Sequence, residues 1–189
     1  MRRATAILLV ASLPAGAQVT KASVSGGSPS QPPPITVFKG FKVAPGSFKG
    51  IERRFNEQLT TLFDLNEPLD LLGPARGISL EGYGIVFTAE LSLVMAPGQS
   101  PFMPTIPAAL KEKIRQRKIE RLPKLKEVMK DMMRTTANTF IQIPLEQQIV
   151  FCVRFLYEPW EDRTGMPSQI LMKADRKSAA AGDIQVEEQ

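Results

Sequence analysis

The chain has 189 residues, 43% hydrophobic and 23% charged, with a formal net charge of +5, a length and apolar content that suit one domain with a real core. It contains no histidine and one cysteine. This excludes imidazole metal sites, Ser-His-Asp or Cys-His catalysis in the usual form, an intramolecular disulfide and a cysteine-ligated zinc site.

The amino terminus reads Met1, Arg2, Arg3, then an apolar run from Ala4 to Leu13, then Pro14, Ala15, Gly16 and Ala17. A basic start, a short apolar stretch and a small-x-small ending are what a signal peptidase reads. Residues 1–17 are therefore expected to be a cleaved signal peptide and the protein to be exported, to the periplasm or beyond. The apolar run is about half of the roughly 20 residues that a bilayer span needs, so no transmembrane segment is expected after cleavage. Arg2 and Arg3 leave with the signal, lowering the net charge to +3. That excess is too small for nucleic-acid binding, which shows a dense basic face with stacking aromatics. No cofactor motif is present.

Residues 18–34 are rich in Ser, Gly and Pro and read as a flexible leader. A short strand is expected over Ile35–Phe41. Ser47 is placed to cap a helix whose face carries Phe48, Ile51, Phe55, Leu59, Leu62 and Phe63, three or four residues apart. Asn66, Pro68, Gly73 and Pro74 break the chain, with a helical turn over Leu69–Leu72. A strand over Gly77–Glu81 leads through Gly82-Tyr83-Gly84 into a longer one, where Ile85, Phe87, Ala89, Leu91 and Leu93 alternate with a mixed face. The Gly82–Gly84 turn lacks phosphate-loop spacing.

Prolines 97, 101, 104 and 107 impose a loop. Helical spacing resumes at Leu110, and Pro123 splits it into a basic helix over 109–121 and a second over 123–138, whose methionines 129, 132 and 133 belong to the core. Gln148–Tyr157 alternates as a strand, with Cys152 a packing residue. The loop Glu158–Pro167 and a last strand Gln169–Ala174 follow, and residues 175–189 read as a disordered tail. The expected fold is α+β over residues 35–174: a small antiparallel or mixed sheet with amphipathic helices on one face, a two-layer sandwich.

The strongest charge feature is Lys111–Lys126, with eight basic residues against Glu112 and Glu120. Lys113, Arg117, Lys118 and Arg121 are expected to point outward, toward an anionic envelope component or another exported protein. Trp160, beside Glu158, Glu161 and Asp162, is a candidate anchor. The leading functional reading is a non-enzymatic binding or structural module of the cell envelope. The alternative is a carboxylate-dependent hydrolase of an extracellular glycan, drawing on Glu81, Glu90, Glu158, Glu161 and Asp162. An assembly factor that uses an open sheet edge is a third.

Overall fold

A computed structural model describes residues 43–63, 68–102 and 104–189. The expected signal peptide, the leader and the strand at Ile35–Phe41 lie outside the described residues. Those described belong to one compact unit, Val37–Gln189, with helices on one face of an open, mixed, six-stranded sheet.

In chain order, a 3-10 turn (Pro45–Phe48) leads into α1 (Lys49–Thr61). Then come β1 (Asp70–Leu71), β2 (Arg76–Leu80), β3 (Gly84–Ser92), α2 (Ala108–Thr139), β4 (Gln148–Phe155), β5 (Gln169–Asp175), α3 (Arg176–Ala181) and β6 (Gln185–Glu188). β1 and β2 share one edge of β3, and the sheet continues through β4 and β5 to β6. β3 and β4 run parallel, from Gly84 opposite Gln148 to Leu91 opposite Phe155, while the other pairs are antiparallel. A parallel pair needs a long crossover, and α2 supplies it.

Period-2 alternation decides which side of the sheet is covered. Ile85, Phe87, Ala89 and Leu91 on β3, Ile149, Phe151, Val153 and Phe155 on β4, and Ile170, Met172 and Ala174 on β5 are all buried. On the other face Thr88, Glu90 and Arg154 are exposed. The Phe87 and Phe151 rings stack with centroids 4.9 Å apart, and Phe55 of α1 meets Phe151 edge-on at 5.1 Å. α1 also holds the sheet edge by polar contacts: the Gly77 N–H donates to Glu52 and the Ala75 N–H to Asn56, each at 2.8 Å. The α+β sandwich read from the pattern is the observed one.

Several local expectations are corrected. Residues 69–72 contribute the short strand β1 instead of a helical turn, paired with the end of β3. Ser47 does not cap α1: it lies inside the 3-10 turn, and Phe48 occupies the cap position with no side-chain hydrogen bond. The two helices expected around Pro123 are one helix of 32 residues. Pro123 is exposed, on a side of the helix where water can satisfy the carbonyl left without a donor.

The expected disordered tail is also ordered. Asp175 accepts from the Ser178 N–H at 2.8 Å and caps α3, and Gly182 closes that helix at φ 85°. Ala179 is fully buried. Arg176 donates to the carbonyls of Ala137 and Ile143, and β6 completes the sheet against β5. Small and charged residues without periodicity give no sign of order in the sequence. Here they dock on a core already built by α2 and β5.

Candidate functional site

The basic stretch Lys111–Lys126 forms the first half of α2, and the phase of the helix decides what each cation does. Leu122, Leu125 and Met129 pack in the core that α2 shares with the sheet, and Ile114, one or more turns earlier on the same side, is buried too. Lys118 and Arg121 fall on that same stripe, four and seven residues after Ile114. Both are buried, at 1% and 7% exposure, so the expectation that they point outward is wrong. The apolar positions of α2 fix its inner face, and a charge count along the sequence ignores that phase.

Lys118 reaches Glu161 in the loop after β4, with Nζ at 2.8 and 2.6 Å from the two carboxylate oxygens. Glu161 also accepts from the Glu158 N–H at 2.9 Å, and Lys118 lies 4.7 Å from the centre of the Tyr157 ring. Arg121 donates to the Leu93 carbonyl and lies 4.4 Å from the Phe63 ring centre. Arg115 donates to the Thr164 carbonyl at 2.9 Å and stands 3.8 Å from Asp162. Lys126 pairs with Glu188. At least four of the eight cations are therefore structural contacts: Arg115, Lys118 and Arg121 tie α2 to loops and Lys126 ties it to β6.

The others divide by helix phase. Lys111 turns toward the loop and lies 5.9 Å from the Trp160 ring centre. Lys113, Arg117 and Lys124 lie on one ridge, away from Lys111 by roughly a third of a turn or more at 3.6 residues per turn. Lys113 and Lys124 are exposed and Arg117 is partly so. Trp160 is half-buried and donates its indole N–H to the Pro97 carbonyl at 3.2 Å, which pins the loop to the proline-rich segment. The five residues singled out from the sequence thus separate: Lys113 and Arg117 share a ridge, Lys118 and Arg121 are interior, and Trp160 stands apart.

Three of the five carboxylates considered for hydrolysis, Glu90, Glu161 and Asp162, are engaged by identified partners. Glu90 faces Arg154 at 3.5 Å, Glu161 is bound by Lys118, and Asp162 accepts from the Thr164 N–H at 2.9 Å. That bond, ahead of the nearby Arg115, holds the Asp162 carboxyl below the usual range. Glu81 is on the exposed β2–β3 turn. Among the described residues no group of three or more Cys, Asp or Glu side chains is arranged to hold a metal ion, and no helix is long and apolar enough to cross a membrane. Cys152 is partly buried on the uncovered face, with its sulfur 3.9 Å from the Gln169 side-chain oxygen. Burial pushes its thiol up, against a countering Arg154, which disfavours the nucleophilic thiolate.

One feature had no signal in the sequence. Where β4 ends and β5 begins, a groove of about 560 Å³ is lined by Arg154, Tyr157, Arg163, Met166, Ser168 and Gln169, among others. It is assembled from the end of β4, the Glu158–Pro167 loop and the start of β5, which the pairing of β4 with β5 brings together. Neither a protein family, nor a curated protein, nor a solved structure matches this chain.

Proposed function

We propose that the protein is an exported, non-enzymatic binding module of the cell envelope that seats on an anionic envelope component through the outer ridge of α2. One observation carries the reading: on a helix whose Arg115, Lys118, Arg121 and Lys126 tie it to the rest of the fold, Lys113 and Lys124 stand exposed on a single ridge. From Lys113 to Lys124 the ridge runs about 16 Å at 1.5 Å per residue. Glu120 lies on it too, engaged by the Gln116 side-chain amide at 3.1 Å. A row of cations on a rigid helix matches a polyanion without an ordering cost in the protein. The signal-like start at Met1–Ala17 supports export.

The test is co-sedimentation of the chain beginning at Gln18 with envelope fractions. At low salt the protein pellets, and it is released when salt shortens the screening length from about 10 Å at 0.1 M toward about 3 Å at 1 M. A Lys113→Glu/Lys124→Glu variant, altered only at exposed positions, stays in the supernatant at low salt. Failure of the unaltered protein to pellet, or pelleting of the variant to the same extent, would remove the proposal.

A further inference from the structure

The groove between the ends of β4 and β5 has a wall chemistry that the ridge on α2 does not share. Arg154 leaves the uncovered face of β4 and Arg163 comes from the loop, and both line the same cavity of about 560 Å³. A guanidinium carries five N–H donors and does not deprotonate in proteins. Arg154 spends little of this capacity: its carboxylate neighbour Glu90 is 3.5 Å away, and the two side chains are 67% and 49% exposed. Arg163 stacks near Tyr157 at 5.4 Å from the ring centre, with no carboxylate partner among the described residues. No acid is among the residues that line this groove.

The remaining polar groups of the wall are already engaged. Ser168 donates to the Gln189 carbonyl at 2.9 Å, Gln169 to the Gln189 side chain at 2.7 Å, and Tyr157 to the Pro167 carbonyl at 2.7 Å. What the groove offers a ligand is thus two arginines with donors to spare, beside an apolar surface from Leu156, Tyr157 and Met166. Its volume is in the range of small-molecule pockets, about 300–1,000 Å³. We infer that this groove binds an amphipathic organic acid, its carboxylate held by Arg154 and Arg163 and its apolar body laid along Leu156, Tyr157 and Met166. Arginine suits this role because its planar fork matches a carboxylate in a bidentate fashion. The proposal uses no residue of the α2 ridge and stands or falls separately from the envelope contact.

Sodium octanoate is the probe, titrated calorimetrically into the whole protein, with octylamine and inorganic phosphate as comparisons. Octanoate binds saturably, while octylamine, which has the same tail and the opposite charge, does not bind. Phosphate, an oxyanion without a tail, binds more weakly. Arg154→Gln and Arg163→Gln each weaken octanoate by about tenfold, which corresponds to about 1.4 kcal/mol. Both positions are exposed, and unchanged thermal melts of the two variants establish that the loss is one of binding. Equal binding of octanoate and octylamine would show an apolar crevice without anion recognition and overturn the inference. So would phosphate binding as tightly as octanoate, or octanoate binding unaffected in both variants.

Discussion

Lys118 and Glu161 are 1% and 4% exposed, and a lysine and a glutamate are tolerated at that depth because each is the other's partner. Removing one member of a buried pair leaves an uncompensated charge and costs about 3–5 kcal/mol. Lys118→Met is expected to destabilise the protein by that amount in urea unfolding, and Lys118→Met/Glu161→Gln to recover most of it, because the glutamine still accepts from the Glu158 N–H. A loss below about 1 kcal/mol in the single variant would place the pair in water. Tyr157, packed beside Lys118, makes a second prediction. Burial, reinforced by Glu161 and partly offset by Arg163, pushes its phenol up from 10.0 to about 12. A folded-state value above the unfolded one means that the stabilisation is complete below pH 10 and is lost as pH rises toward 12. Alkaline unfolding should therefore steepen across that window, and Tyr157→Phe should remove the steepening.

At the scale of elements, the apolar spacing of α2 was legible through Leu122, Leu125, Met129, Met132 and Met133, and so was the alternation of β3 and β4. The charges of α2 were misread because they were counted along the sequence; measured from Ile114, the same 3.6-residue period puts Lys118 and Arg121 inside. α3 was missed for a different reason. Six residues without an apolar stripe give no periodic signal, and the evidence for the helix is its cap, Asp175 with Ser178 three positions on, followed by Gly182. Asp175→Ala should cost about 1 kcal/mol, the usual worth of such a cap, and should loosen the tail from α2, read as faster amide exchange over residues 176–188. The bond from the Ser178 N–H holds the Asp175 carboxyl below 3.8. The cap's contribution is therefore complete above that pH and is lost as pH falls further. The Asp175→Ala variant should lose that acid sensitivity.

For the whole molecule, the parallel contact of β3 with β4 is where the two halves of the sheet meet, with α1 and β1 to β3 on one side and β4, β5, α3 and β6 on the other. The alternation on each strand identified both as core, yet nothing in either identified the other as its neighbour, because the pairing bridges a 32-residue helix in the chain. The groove at Arg154 and Arg163 was invisible for another reason: it forms where the loop after β4 folds over the ends of β4 and β5, and no periodic pattern in the loop marks that path. Gly84 marks the start of this junction. Its φ is 147°, and a Cβ there would lie 1.9 Å from the Gln148 carbonyl oxygen, a backbone atom that cannot swing away. Gly82, two residues earlier, also has a positive φ, at 76°, but a Cβ there meets nothing within 4 Å. Both substitutions to alanine carry the backbone cost of a positive φ, about 1 kcal/mol or more. Gly84→Ala alone must also push β4 away from β3. Gly82→Ala should therefore remain folded with a modestly lower melting temperature, while Gly84→Ala should lose the cooperative unfolding transition; if the two variants melt alike, the junction is not where the sheet is held together.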